Sequence, residues 1–235
     1  MDDGKSGYEP SPVNPLPPVV LVLFLVIFGI EAVVTAGESG WVGGPQAVGW
    51  RLALIRDYGF SPEIFAWMRD TGQWPSEHLL RFLTYPFLHL SFVPMIIGAV
   101  IFLAMGKLVG EVIGHFAVFA IFFGASAFAA LVYGFVQNEK TWLVGAFPGA
   151  YGLIGGFTFI LWTQARMTGQ NQAQAFSLIA MLMGIQLLFG LLFGTDNTWV
   201  ADLAGFVAGF AACFILVPGA RAALLRKMRQ QGSDR

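Results

Sequence analysis

Along this chain the apolar residues come in long blocks separated by short polar breaks, where a soluble helix would show a stripe and a half-buried strand an alternation. The thickness of a bilayer is the natural ruler for such blocks, and it asks for about 20 mostly apolar residues per helix. Six segments stand out against it: 18–36, 85–105, 115–136, 148–162, 176–193 and 198–217. The fourth is short, so it is expected to start below the membrane surface, where surrounding protein satisfies its backbone.

One connection is long. The segment 37–81 carries Trp41, Trp50, Arg51, Arg56, Trp67, Arg69 and Trp74 among apolar residues, a mixture that suits a partly helical loop lying in the bilayer interface. The remaining connections are brief, which makes neighbouring helices antiparallel. The chain thus divides into a leader (1–17), an all-α six-helix membrane domain (18–217) and a basic tail (218–235). Arg221, Arg226, Lys227, Arg229 and Arg235 place that tail in the cytoplasm. Six crossings put the N-terminus there too, with the Trp-rich loop and the Asp196 turn outside and Lys107 and Arg166 in cytoplasmic turns.

Composition agrees with the pattern. With 56% hydrophobic and 11% charged residues, a soluble domain is excluded. The first apolar block follows a proline-punctuated leader holding Asp2, Asp3 and Glu9 and lacks a small-x-small cleavage site, so it reads as a retained span. A formal net charge of −1 gives no reason to expect nucleic acid as a partner. The lone Cys213 allows no disulfide framework. His78, His89 and His115 are isolated, so no metal site is expected and no cofactor is implied.

Four islands, in order, resemble the rhomboid family of six-helix intramembrane serine proteases. LLRFLTYPFLHLSF at 79–92 is similar to the family's Trp-Arg pair and Phe-Leu-His, keeping Arg81, Phe87, Leu88 and His89, with Leu80 in place of the tryptophan. GKLVGEVIG at 106–114 resembles a glycine-and-glutamate turn, with Glu111 one position late. VGAFPGAYGLIGG at 144–156 occupies the place of Gly-x-Ser-Gly, an aromatic, Gly-Leu and Gly. WVADLAGFVAGF at 199–210 is similar to the Ala-His-Leu-Gly-Gly run of the sixth helix.

The resemblance implies a serine nucleophile at the start of the fourth helix and a histidine base in the sixth. Aligned without gaps, those positions hold Phe147 and Asp202, Pro148 follows the first, and the positions for a second histidine and an oxyanion-binding asparagine hold Pro94 and Gly98. No shift of register repairs this. There is no Ser, Thr or Cys in 143–156 and no histidine after His115. Acyl transfer needs a hydroxyl or thiol beside a base and donors aimed at the oxyanion, and such groups act as a unit. Catalytic residues are therefore expected to be absent. Ser126, in GASAF, sits midway along the third helix in a run of small residues and reads as a packing serine bonded to its own helix.

Two readings stand for Asp202. A carboxylate deep in the bilayer would cost about 2.5–3.5 kcal/mol and would mark a functional, cavity-lining residue. Near the start of the sixth helix, the helix dipole and the preceding Asn197 and Thr198 would instead make it a helix-end stabiliser. Tyr151 matches the aromatic that packs on the family's histidine and is expected beside Asp202. His89 is expected to tether the outer end of the second helix, toward the Arg81 loop. His115 is expected at a cytoplasmic turn, solvated or interfacial, and Glu31 either to face the bundle or, in preference, to reach the interface. Gly145 with Gly149, Gly152 with Gly156, and Gly205 with Gly209 give two helices small residues every four positions, the signature of a close crossing. Around vacated positions they predict a closed, apolar cavity.

The function expected is a rhomboid-like protein of the bacterial inner membrane that binds transmembrane helices of partner proteins without cutting them. The alternatives are an active intramembrane endopeptidase with unconventional residues and an accessory subunit of a membrane complex. The lipid bilayer is the other expected partner.

Overall fold

The computed structural model describes residues 15–137, 141–193 and 197–217. The Asp196 turn, the basic tail and most of the leader lie outside the described residues. Nine helices are found among those described: α1 (Pro18–Glu38), α2 (Trp50–Tyr58), α3 (Pro62–Thr71), α4 (Ser76–Thr84), α5 (Phe92–Val112), α6 (His115–Val136), α7 (Phe147–Thr168), α8 (Ser177–Phe193) and α9 (Trp199–Leu216). Of these, α1, α5, α6 and α9 are each long and apolar enough to cross a bilayer. Helices α7 and α8 occupy the other two apolar segments seen in the sequence. In α7, Gln164 and Arg166 lower the hydropathy of the second half, while the stretch from Pro148 to Gly156 is buried by its neighbours.

Two boundaries differ from those expected, each for a local reason. The second apolar block begins with a 3₁₀ turn, Tyr85–Phe87, and extended backbone at Leu88 and Ser91, so the helix starts only at Phe92. Pro94 fixes that start, because a missing N–H is harmless only in a first turn. The helix then runs on through Gly106–Val112, so the glycine-and-glutamate stretch is helical and Lys107 pairs with Glu111 along it at 3.9 Å. The turn falls at Gly114, where φ is +115°. Likewise α7 is not short. It has 22 residues, about 33 Å of helix, and ends on left-handed Gly169, which leaves Arg166 in its last turn with the guanidinium 5.8 Å from the Trp162 ring.

One core lies between α1, α5, α6 and α7, around Val20, Ile27, Phe102, Phe122 and Leu153. A second lies under the long loop, where Phe60, Phe65 and Met68 pack on Tyr85, Tyr133 and Ala201. The loop is thus a packed layer of three short helices. Two buried arginines hold it. Arg81 donates through Nη1 to the carbonyls of Arg56 (2.7 Å) and Gly59 (2.9 Å), where α2 ends. Burial alone would lower the affinity of that guanidinium for its proton.

Arg51 ties the layer to α1. Its guanidinium donates to both oxygens of Glu31 (2.9 and 3.0 Å), both of Glu38 (2.8 Å each) and the carbonyl of His89 (2.7 Å). The expectation that Glu31 reaches an interface is therefore corrected: it is 2% exposed. A carboxylate within a span tolerates burial when a guanidinium meets both its oxygens. Those bonds to Glu38 and Glu31 hold the proton on Arg51 more tightly than on a free arginine.

Candidate functional site

The site is organised by the crossing of α7 and α9, the most extensive helix contact among the described residues. Backbone meets backbone there. A Cβ on Gly205 would collide with the Pro148 carbonyl, one on Gly209 with the Gly152 carbonyl, and one on Gly155 with the Phe206 carbonyl. The other flank of α7 faces α6, where a Cβ on Gly149 would lie 2.6 Å from a Phe122 ring carbon and 2.7 Å from Ser126 Oγ. Gly152 meets Ala125 in the same way, and Gly156 sits in looser contact with Ile121 and Cys213. Gly145 belongs to a different structure: it precedes α7 at φ +106° and faces His89 at 3.7 Å, so it is a turn residue and not part of the crossing. Gly155, which stands outside the four-residue spacing, lies in the crossing instead.

His89 fixes the start of α7. Its Nε2 accepts from the Ala146 N–H at 3.3 Å, which leaves the proton on Nδ1. The tether therefore runs to the turn before α7, not to the Arg81 loop. Burial, with Arg51 close by, pushes the imidazole down to about 4, so it is neutral at physiological pH. His115, by contrast, is exposed at the first residue of α6.

Above this turn lies a cleft of about 380 Å³. Pro94 and Ile97 of α5 form one wall, Ile185 and Gln186 of α8 the facing one, and Phe147, Tyr151 and Asp202 its base. Gly98 sits behind Phe147, where a Cβ would lie 3.6 Å from the phenyl ring. The four positions named from the aligned motifs thus converge, although they come from three helices. Phe147 is only half-buried, and His89, Gln186, Thr198 and Asp202 all line the cleft. The expectation of a closed, wholly apolar cavity is corrected accordingly, since a phenyl ring leaning on Gly98 leaves the space toward α8 open.

Asp202 is 4% exposed and lies in the first turn of α9. Both readings of it therefore describe one position, a helix-end acid that also lines the cleft. Its Oδ2 accepts from Gln186 Nε2 at 2.8 Å, and Gln186 Oε1 accepts from the Tyr151 hydroxyl at 3.5 Å. Tyr151 and Asp202 are linked through this amide and not directly. Sequence reasoning missed Gln186, although it is the one polar side chain in 178–193.

Elsewhere, Ser126 is fully buried and donates to the Phe122 carbonyl at 2.7 Å, one turn back on its own helix. Among the described residues, no group of three His, Cys, Asp or Glu side chains could hold a metal ion.

A family model of the rhomboid domain matches residues 76–219, well over half of the chain. The chain belongs to the rhomboid family. A comparison with curated proteins finds no match. As a rhomboid with spans of this length and apolarity, it is an integral membrane protein. The matched stretch begins with α4, so the helices α1 to α3, and with them Glu31 and Arg51, lie outside it.

Proposed function

We propose that this rhomboid-family protein holds transmembrane helices of partner proteins in the cleft between α5 and α8 without cutting them. The observation that carries the reading is the content of the cleft. Phenylalanine and aspartate stand where the family resemblance puts nucleophile and base, while the α7–α9 crossing that would bring such a pair together is built from backbone contacts. A cleft with apolar walls from Ile97 and Ile185 and a hydrogen-bonding base of Tyr151, Gln186 and Asp202 suits a helix that is mostly apolar and carries a polar residue.

The test is a photocrosslinking residue at Ile97, which is half exposed on the cleft wall (51%). In cells it is expected to trap a limited set of membrane proteins, and Gly152→Leu, which forces α7 off α6, is expected to abolish them. Crosslinks to lipid alone would remove the proposal. So would labelling by a fluorophosphonate probe that Ser126→Ala abolishes, since this would restore a serine-protease reading. One partner at fixed stoichiometry in native gels would replace it with the accessory-subunit reading.

A further inference from the structure

A second and larger concavity shares none of the cleft's lining residues. It has a volume of about 790 Å³ and opens between α1, α2 and the turn before α5. Its floor is the face of α1 that carries Val26, Gly29 and Val33, about 10 Å of helix from end to end. Leu54 and Phe87 form the sides. Such a volume falls within the range of small-molecule sites, about 300–1,000 Å³.

What covers this groove follows from where α1 lies. The helix is a membrane span, and Val22, Leu25 and Val33, next to or within the groove, are more than half exposed (58%, 54% and 55%). The groove is therefore continuous with the surface that meets acyl chains. Its depth comes from one residue: a Cβ on Gly29 would meet nothing within 4 Å. Its polar lining groups are gathered in one place. The Thr84 hydroxyl donates to the Tyr58 carbonyl at 2.8 Å, and Asp57 lines the groove beside it. Arg56, at the groove's rim, pairs with Asp57 at 2.9 Å, both side chains well exposed. Trp50 and Tyr58 flank it, aromatic types that favour the headgroup level.

We infer that this groove is a binding site for one zwitterionic phospholipid, an acyl chain lying along α1 over Gly29 and the headgroup at the Arg56–Asp57 pair. A phosphate beside Arg56 and an ammonium beside Asp57 match the two charges in sign, which a phosphatidylethanolamine headgroup supplies and a phosphatidylglycerol headgroup does not. Most of the groove's lining comes from α1 and α2, outside the matched rhomboid domain, and Thr84, Phe87 and Leu88 close it from within that domain.

The test uses the full-length protein in nanodiscs of equal phosphatidylethanolamine and phosphatidylglycerol, extracted into mild detergent, washed and weighed by native mass spectrometry. Wild type is expected to retain a single phosphatidylethanolamine. Gly29→Leu, whose Cβ meets nothing within 4 Å and whose side chain fills the groove, is expected to lose it, and Gly124→Leu, whose Cβ is equally free but which lies on α6, to keep it. Ala53→Leu, on the α2 wall, provides a second filling variant should Gly29→Leu fold poorly. Asp57→Asn is expected to remove the headgroup preference. Equal retention by wild type and both filling variants, absence of lipid from wild type, or a preference for phosphatidylglycerol would overturn the inference. A disulfide-linked dimer formed through Val33→Cys would do so too, by giving the groove to a second copy of the chain.

Discussion

Replacing Arg51 with methionine isolates the interaction that joins α1 to the loop layer. Methionine keeps the length and apolar stem of the side chain and removes every donor. The two carboxylates left behind are not equivalent: the Glu31 side chain is 2% exposed and the Glu38 side chain 35%. Glu38 can turn to water, and its pairing is worth at most about 1 kcal/mol. Glu31 cannot, and stranding a buried charge costs about 3–5 kcal/mol, so Glu31 dominates the effect. For a chain of this size that is a fall in Tm of roughly 10 °C. The lone thiol, buried Cys213, supplies the assay, since a thiol-reactive fluorophore reports its exposure on heating. Glu38→Gln is expected to lower Tm by no more than about 3 °C. The double variant Glu31→Leu/Arg51→Met, which removes both buried charges, is expected to recover most of the loss. If Arg51→Met melts within about 2 °C of wild type, or if the double variant is no better than the single one, the buried pair does not anchor the loop.

Two further outcomes follow from the same contacts. His89 is held near 4 when folded against 6.5 when free, so the unfolded chain binds more protons between these values; stability is full above pH 6.5 and falls by roughly 3 kcal/mol as pH drops to 4. The difference in Tm between wild type and His89→Gln across that window measures it, and a difference that does not change with pH contradicts a neutral imidazole buried beside Arg51. Gly209→Leu drives a side chain into the Gly152 carbonyl and is expected to cost about 3 kcal/mol or more, whereas Gly184→Leu, with open space around it, should stay within about 0.5 kcal/mol of wild type, both read as thermal exposure of Cys213.

Six apolar segments were legible in the sequence because both lipid and the protein interior exclude polar side chains, and each lies mostly within a helix. Their ends were less legible. Block 85–105 looks continuous in hydropathy, yet Pro86 and the extended Leu88 and Ser91 hold its first seven residues out of the helix. Hydropathy sums side-chain polarity, whereas what keeps these residues out of the helix is specific pairing, such as His89 with Ala146 and Arg51, and Tyr85 with Ser126. The Glu31–Arg51 pair was invisible for a different reason: its members are 20 residues apart, in a span and a loop, and neither carries a local signal of the other. Gln186 and Asp202, 16 apart in neighbouring helices, are the same case, although a single amide in an apolar helix is a clue to follow.

The placement of Phe147, Asp202, Pro94 and Gly98 around one cleft came from aligned motifs, and the reason it could be read that way lies in the crossing. Gly205 against Pro148, Gly209 against Gly152 and Gly155 against Phe206 are contacts of glycine with main-chain carbonyls. No side chain at 147 or 202 takes part in them. The geometry that brings the two positions to a common space is therefore independent of what those positions carry, and the same scaffold can hold a phenyl ring and a carboxylate where the resemblance puts a hydroxyl and an imidazole. What the side chains do decide is the form of that space. Phe147 leans on Gly98 and leaves the α8 side open, and Asp202 recruits Gln186, so that a hydrogen-bonding strip of Tyr151, Gln186 and Asp202 faces a cleft with apolar walls. Chemistry and scaffold are thus carried by different atoms, side chains for one and glycine backbone for the other, and substitutions at the first leave the second in place.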